Sequence, residues 1–327
     1  MDKNLYLNGT IKTYQLTKEE ALLAKYMIRN NEVKEALEGR YGGDLYSPFN
    51  SGSYAKNTAI NTKFDFDLVA PFKRNSFGAN GTLKEMFDSV YDFLYETYKN
   101  IAEVKKQKVS IGIAFYTDSD GDVVKIDVVP GRELNQNQYT DDKNLNLYVY
   151  YKYGNIEAGS ERIKTNVQSQ ISNIKDRADN EKESIRKIIR LLKVWKYTKY
   201  EYPTKSFLLE LITLKAFDNQ VITGNLWERL KMVLEYIKDN IADEGFSLKD
   251  PGNTSNDLAE TLTKTEKENF ATDMKNLLDR IEDNAENIKT YFPENIKFKE
   301  DEESKEGSYK SKGNSFYSVP PKNERFG

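Results

Sequence analysis

The chain has 327 residues, which is enough for one large two-lobed unit or two modest domains. Because the net charge is −3, a site for triphosphates or nucleic acid must be a local basic patch. The absence of cysteine and histidine excludes disulfides, thiolate zinc sites, cysteine nucleophiles and histidine bases. Any chemistry must rest on carboxylates, hydroxyls, lysine and arginine, and oxygen ligands suit Mg²⁺ or Mn²⁺.

The sequence carries no sign of export or membrane insertion. No apolar run approaches the roughly 20 residues that a bilayer-spanning helix needs. The N-terminal segment, MDKNLYLNGTIK, lacks the basic and then apolar layout of a secretory signal. We therefore expect a cytoplasmic protein without a membrane partner.

The first predicted element is a helix over residues 16–38, which we expect to pack along both lobes. Thr17 and Glu20 fit a capping box at its start, and Gly39 suits its end. Residues 40–53 are rich in Gly, Tyr, Pro and Ser, which predicts a loop or a strand that ends in a tight turn.

Strand patterns follow in the N-terminal half. Residues 64–72 alternate aromatic and acidic side chains, which predicts a strand, whereas apolar residues recur at helical spacing over 83–98. Residues 109–116 and 122–129 are rich in β-branched residues and flank a polar turn, which predicts a hairpin. Residues 145–151 predict a further strand.

The C-terminal half is helical by pattern and ends in a polar segment. Helices are predicted over 181–197, 206–217, 226–239 and 265–291. After Phe298 the composition cannot bury a core, which predicts a mostly disordered tail. The fold class is therefore α+β, with a mixed sheet and flanking helices followed by a helical lobe. We expect a sheet lobe at 1–155, a helical lobe at 156–297 and a flexible tail at 298–327.

Two acids share one predicted strand. Residues two apart on a strand point to the same face, so Asp65 and Asp67 project together while their neighbours enter the core. Two adjacent carboxylates repel each other and resist burial, and a divalent cation relieves that repulsion. The pair alone also fits solvated residues on an open sheet face.

Asp127 is the third acid of interest. It lies in VVKIDVV, where Val124, Ile126 and Val128 face one way and Asp127 faces the other. If this strand pairs beside the strand of Asp65 and Asp67, the three carboxylates form one cluster. Such a set suits two metal ions about 3.5–4 Å apart.

A Gly-Ser pair precedes these acids. The stretch GSYAKNTAINTKFDFDLV, from Gly52 and Ser53 onward, resembles the signature of the polymerase-β-like nucleotidyltransferases. In that signature, Gly-Ser is followed by an acid-x-acid pair and then by a third acid on a later strand. The insert Thr58-Ala59-Ile60 is similar to that of the cGAS/DncV-like nucleotidyltransferases (CD-NTases), the bacterial cyclic-oligonucleotide synthases of CBASS phage defence.

The downstream half extends this resemblance over roughly residues 10–295. KIIRLLKVWK followed by PTKSFLLELITLKAF resembles the helix pair after the catalytic sheet of those enzymes. The segment Asp250-Pro251-Gly252-Asn253, followed by Asn256-Asp257, resembles their Asp-Pro…Asn segment before a late helix.

The resemblance implies a role for each matching residue. Asp65, Asp67 and Asp127 would be both the catalytic acids and the ligands of two Mg²⁺ or Mn²⁺ ions. Asp127 would lie nearer the attacking hydroxyl and help to deprotonate it. The implied nucleotide-binding residues are Gly52, Ser53, Lys193, Ser206 and Phe207.

Helical spacing supports part of that assignment. Arg186, Arg190 and Lys193 share one helical face, which complements a triphosphate of about four negative charges. The same face also fits an ordinary solvated surface over a core stripe. Phe207, which stands where Tyr is more usual in the family, equally fits the core.

The implied activity is metal-dependent condensation of nucleoside triphosphates into a cyclic di- or trinucleotide with release of pyrophosphate. ATP, GTP or both are the expected substrates, with pyrimidine triphosphates left open. Alternatives are a linear-oligonucleotide or RNA-tailing enzyme, an aminoglycoside-type nucleotidyltransferase, and an inactive nucleotide-binding scaffold. A product-sensing effector and a ubiquitin-transfer-like protein that conjugates the C-terminus at Gly327 are the implied partners, with no stable nucleic-acid partner. A passive solubilising tail is the alternative to conjugation.

Overall fold

The computed structural model describes residues 1–62, 64–78, 81–151, 162–199 and 201–299. Its helices are Lys3–Thr13 (α1), Glu20–Tyr41 (α2), Gly52–Ala55 (α3), Leu83–Tyr98 (α4), Tyr139–Asp142 (α5), Val167–Lys175 (α6), Asp179–Tyr197 (α7), Ser206–Asn219 (α8), Leu226–Asn240 (α9), Lys264–Asp283 (α10) and Ile288–Tyr291 (α11). Its strands are Phe49–Ser51 (β1), Phe66–Phe72 (β2), Ala102–Lys106 (β3), Ile111–Phe115 (β4), Lys125–Glu133 (β5), Leu145–Tyr148 (β6), Arg162–Thr165 (β7), Lys249–Asp250 (β8) and Asn253–Asp257 (β9).

A mixed sheet organises the N-terminal half. Its strands follow the order β1-β2-β5-β4-β3, and β6 and β7 extend it from the C-terminal part of β5. Strands β2 and β5 run parallel, whereas the other neighbours in this sheet run antiparallel. The α+β fold and the β4–β5 hairpin are confirmed. The sequence analysis did not predict β3, in which Glu103 and Lys105 occupy outward positions.

Side-chain alternation gives this sheet two different faces. Phe66 and Leu68 on β2, with Ile126 and Val128 on β5, enter a core that α2 and α4 cover. The opposite face of the same two strands carries Asp67, Val69, Asp127 and Val129. The predicted orientation is therefore confirmed for Asp67 and Asp127. Asp65 is not on the predicted strand, because β2 begins at Phe66 and Asp65 directly precedes it.

A second core belongs to the C-terminal helices. Helices α7, α8, α9 and α10 pack together, and Trp195 of α7 is fully buried among them. Leu7 and Ile11 of α1 complete this core rather than that of the sheet. The predicted helices over 181–197, 206–217 and 226–239 are confirmed within a few residues.

The N-terminal segment differs from its prediction. It forms two helices, of which α1 packs in the helical core and α2 packs on the sheet. Thr17 lies in a short 3₁₀ turn, Leu16–Glu19, so the predicted capping box is wrong. Helix α2 continues through Gly39 and ends at Tyr41, where Gly42 adopts a φ of 48° that favours glycine.

The other end of the helical half also needs a correction. The helix predicted over 265–291 is interrupted at Asn284, whose extended backbone ends α10 before α11 begins. Strand β7 pairs with β6, so the sheet continues past the predicted boundary at residue 155. The three-region division stays a prediction, and residues 300–327 of the predicted tail lie outside the described part of the chain.

Candidate active site

The parallel pairing of β2 with β5 places two of the predicted acids side by side. In this register Asp67 is opposite Asp127, and Asp65 directly precedes β2. Asp65 contributes to the electrostatic environment of both other carboxylates. The structure therefore brings the three acids together, while their catalytic and metal-binding roles stay predictions.

Burial and like charge make these carboxylates difficult to ionise. Asp67 is 3% exposed, and its Oδ1 atom is buried without a hydrogen-bond partner. Burial, followed by the charges of Asp65 and Asp127, raises the pKa of Asp67 well above its usual value. Burial and the charge of Asp65 raise the pKa of Asp127 to about 7. A bound cation is the natural counter-charge for such a set.

The donor chemistry fits a hard divalent cation. Among the described residues, only carboxylates of Asp118, Asp120 and Asp122 form a group whose oxygens all lie within 4.8 Å of one another. In the candidate active site, the buried Oδ1 atom of Asp67 has no hydrogen-bond partner, so it is a ligand atom that a cation could use. The residues present therefore fit Mg²⁺ or Mn²⁺.

The exposed acidic group in the β4–β5 loop is already paired. Lys25 of α2 donates from Nζ to Asp118 at 2.6 Å and to Asp120 and Asp122 at 2.7 Å each. Its single positive charge thus offsets part of the negative charge of the three carboxylates, which would otherwise attract a cation. These contacts hold α2 against the β4–β5 hairpin, and the group is separate from the buried acids of β2 and β5.

Gly52 allows the loop to approach Asp67. Its φ is 62°, and a Cβ atom at this position would lie 1.7 Å from Oδ2 of Asp67. Any other residue would clash with the carboxylate and strain the backbone. Ser53 follows as a half-buried residue of the short helix α3, so the predicted Gly-Ser element lies directly against the acids.

The sequence analysis missed one residue of this site. Gln107 donates from Nε2 to Oδ1 of Asp127 at 3.0 Å, and its own Oε1 accepts a hydrogen bond from Ser110 at 2.9 Å. Gly112 makes this contact possible, because a Cβ there would lie 2.3 Å from Nε2 of Gln107. The sequence feature that could have revealed this contact is Gly112, a glycine in the middle of a β-rich run. Such a glycine often marks the close approach of another group.

The predicted basic face of α7 contacts the loop that follows Ser53. Lys193 is 9% exposed and donates from Nζ to the carbonyl of Thr58 at 2.9 Å. Arg190 donates from Nη2 to both the carbonyl and Oδ1 of Asn57 at 2.7 Å. Burial lowers the pKa of Lys193 to about 8, although nearby carboxylates oppose this effect.

Lys56 links this loop to the helical lobe. Its Nζ forms a buried ion pair with Glu210 at 2.6 Å and lies 4.8 Å from the centre of the Phe207 ring. Arg186 donates to the carbonyl of Lys56 at 3.1 Å. Phe207 thus borders the loop while packing partly on the helical core, and Ser206 is the first, half-buried residue of α8.

The Asp-Pro-Gly-Asn segment joins the sheet half to the helical half. Asp250 accepts hydrogen bonds from Gly252 N at 2.8 Å and from Gln170 Nε2 at 2.9 Å. The carbonyl of Gly252 accepts from Asn166 N at 2.8 Å, at the start of α6. In this structure the segment therefore fastens α6 to β8 and β9.

A mixed sheet with paired strand acids beside a Gly-Ser turn defines the polymerase-β-like nucleotidyltransferase fold. Solved structures of CD-NTases share it. CdnC of E. coli MS115-1 with ATP superposes with a TM-score of 0.64 at 20% identity, covering 87% of this chain and 96% of that chain. The Bradyrhizobium diazoefficiens CD-NTase CdnG in complex with GTP gives 0.66 at 15% identity, covering 89% and 95%.

The Vibrio cholerae cyclic AMP-GMP synthase DncV, with a linear intermediate bound, has a TM-score of 0.59 at 14% identity, covering 76% of this chain and 68% of that chain. No protein-family model and no curated protein matches the sequence. The chain therefore has the fold of the CD-NTases, as its resemblance to the cGAS/DncV-like proteins predicts. In the described residues, no helix is long and apolar enough to cross a membrane.

Proposed function

We propose that this chain is a metal-dependent nucleotidyltransferase that condenses nucleoside triphosphates into a cyclic di- or trinucleotide. The observation that carries the proposal is the side-by-side register of Asp67 and Asp127 beneath the Gly52 turn. The reaction is an in-line attack of a ribose hydroxyl on an α-phosphate, with pyrophosphate as the leaving group. Positioning and charge stabilisation supply most of the catalysis in such reactions.

Each part of the site has a proposed task. Asp65, Asp67 and Asp127 would hold two Mg²⁺ or Mn²⁺ ions, which supply Lewis-acid activation and charge neutralisation when bound. The carboxylate of Asp127, positioned by Gln107, would accept the proton of the attacking hydroxyl. The task of Ser53 is to bind the triphosphate beside these acids.

The helical lobe has a proposed share in substrate binding. Lys193 and Ser206 would contact phosphate, and Phe207 would stack on a base. The buried ammonium of Lys193 and the ring of Phe207 both border the loop after Ser53, which supports this placement. CdnC with ATP and CdnG with GTP show that related folds bind these nucleotides.

The proposed setting is CBASS anti-phage signalling in the cytoplasm. The messenger would act on a product-sensing effector, and a ubiquitin-transfer-like protein would conjugate the C-terminus at Gly327. This setting rests on the resemblance to the cGAS/DncV-like proteins. It predicts that deleting residues 325–327 prevents conjugation in cells, and unchanged conjugation would remove the idea.

The activity is tested with the full-length protein, Mg²⁺ and ATP, GTP, CTP and UTP, without a primer. We expect pyrophosphate release and a phosphatase-resistant product whose mass identifies a ring. Asp65→Asn and Asp67→Asn should each abolish turnover, because each removes a carboxylate from the metal-binding set. Asp120→Asn, in the loop paired with Lys25, is the matched control and should leave turnover unchanged.

A second readout does not depend on turnover. Asp67→Asn should raise the stability of the metal-free protein by about 0.5–2 kcal/mol, because it removes a repulsive buried charge. It should also remove the rise in melting temperature that Mn²⁺ gives to the wild type. Pyrophosphate release by both Asp65→Asn and Asp67→Asn, or a phosphatase-sensitive linear product of the wild type, would contradict the cyclic-synthase assignment.

A further inference from the structure

A polar pocket lies at the carboxyl-terminal end of β2 and β5, away from the candidate active site. Its volume is about 410 Å³, within the usual range for small-ligand sites. Six polar residues contribute to its lining, namely Arg74, Arg132, Arg162, Asn135, Gln136 and Asn146. Three guanidinium groups and three amides therefore face one cavity.

Strand alternation separates this pocket from the acids. Asp127 and Arg132 stand at odd and even positions of β5, so they point to opposite faces of the sheet. Arg132 is the register partner of Phe72 on β2 and of Asn146 on β6. A ligand in the pocket would thus lie on the α4 side, with the sheet between it and Asp127.

The guanidinium groups are held without being neutralised. Arg132 donates from Nη1 to the carbonyl of Gly81, and Arg74 donates from Nη1 to the carbonyl of Leu134. The Nε atom of Arg132 is buried and has no hydrogen-bond partner. Across the described ranges, no carboxylate oxygen lies within the 4.0 Å ion-pair distance of the guanidinium groups of Arg74, Arg132 or Arg162. The nearby carboxylate of Glu133 accepts instead from the backbone N–H of Arg74 at 2.8 Å.

Burial and the neighbouring charge of Arg74 lower the pKa of Arg132, which reflects uncompensated positive charge at this place. A guanidinium remains protonated in proteins despite such a shift. Planar arginine forks match the oxygens of phosphate groups and bind them through paired hydrogen bonds. Several arginines that converge on a cavity of this size suit a ligand with more than one phosphate.

We propose that the pocket between Arg74, Arg132 and Arg162 is a second anion-binding site that takes a small oligophosphate. The buried amide of Asn146 and the side chains of Asn135 and Gln136 supply further polar contacts to such a ligand. The site is independent of the nucleotide-transfer chemistry, and it requires no divalent cation.

The test is isothermal titration of the full-length protein with sodium tripolyphosphate in a buffer that contains EDTA. We expect saturable binding by the wild type, and about tenfold weaker binding for Arg132→Gln and for Arg162→Gln, since each removes a charged hydrogen-bond donor. Arg162 is exposed on β7, so its substitution tests the proposal even if Arg132→Gln disturbs folding.

Two controls locate the bound probe. Lys164→Gln removes the same charge from the same strand outside the pocket, and it should bind like the wild type. Ser53→Ala should also bind like the wild type, because in EDTA the candidate active site lacks the divalent cations that it is proposed to need for a phosphate chain. Absence of saturable binding by the wild type, equal weakening by Lys164→Gln, loss in Ser53→Ala, or undiminished binding by Arg162→Gln would each overturn the proposal.

Discussion

At the scale of single residues, Gln107 controls how Asp127 is presented. Its amide bridges Ser110 and Asp127, and it reaches the carboxylate across the space left by Gly112. A side chain that is fixed at both ends holds its partner in one orientation. Gln107 is therefore a positioning residue for the proposed proton acceptor.

We predict that Gln107→Leu lowers kcat about 10- to 100-fold, as loss of comparable supporting contacts does in metal sites, with little change in KM for the triphosphate. Ser110→Ala removes only the outer hydrogen bond to Gln107, so it should lower kcat less. Steady-state pyrophosphate release measures both. Wild-type kcat in Gln107→Leu would show that Asp127 needs no such support.

The acids could be predicted from sequence because the period of a strand is fixed at two residues. Asp67 and Asp127 then fall on the same face of two neighbouring strands, whereas Asp65 lies directly before β2 instead of on it. Gln107 could not be predicted in the same way. Its contact with Asp127 depends on the turn before β4 and on the antiparallel register of Gly112 with Asp127.

At the scale of elements, α7 of the helical core contacts the loop after α3, and this contact joins the two cores. Lys193 and Arg190 bind carbonyl groups of that loop, and Lys56 pairs with Glu210 of α8 in a buried environment. The basic spacing on α7 predicted a phosphate-binding face. In the structure, these cations donate hydrogen bonds to carbonyl groups of the loop. The spacing of basic residues alone cannot distinguish this role from phosphate binding.

The Lys56–Glu210 pair gives a stability prediction. Lys56→Met leaves the buried carboxylate of Glu210 without its partner, and we expect it to lower the free energy of unfolding by about 3–5 kcal/mol. Replacing both residues, as Lys56→Met with Glu210→Leu, should recover most of this loss. Urea denaturation monitored by tryptophan fluorescence measures both. A double variant no more stable than Lys56→Met would mean that packing, rather than charge, explains the loss.

Elements with local signals were the easiest to predict. Helix α4 has a capping box between Thr82 and Glu85 and a strongly apolar stripe, and it begins and ends where its pattern predicts. Helix α1 was missed because its apolar residues are too few to mark a face. Leu7 and Ile11 are buried by distant helices, so tertiary contacts decide its structure.

At the scale of the whole molecule, buried charges tie stability to pH. Burial would raise the pKa of Asp257, but hydrogen bonds from Ser247 and from the N–H groups of Leu248 and Ala259 outweigh it and lower the pKa to about 2. A folded-state pKa below the unfolded value stabilises the protein above about pH 4, and this stabilisation is lost as the pH falls toward 2.

Asp257→Asn should therefore lower the free energy of unfolding by roughly 2 kcal/mol at pH 7, and the difference from wild type should shrink as the pH approaches 2. Denaturant unfolding over this pH range measures it. Asp239→Asn, at an exposed position of α9, is the matched control and should change stability little. A difference that is independent of pH would assign the effect to geometry instead of charge.

The parallel pairing of β2 with β5 has a consequence for how the protein acquires its site during folding. Pairing of Asp67 with Asp127 requires the intervening segment to fold, in which α4 covers the sheet and β3 and β4 are strands of it. Parallel pairs form late because their ends are far apart along the chain. We therefore expect the electrostatic repulsion between the two carboxylates to arise late in folding, after the local β3–β4 hairpin has formed.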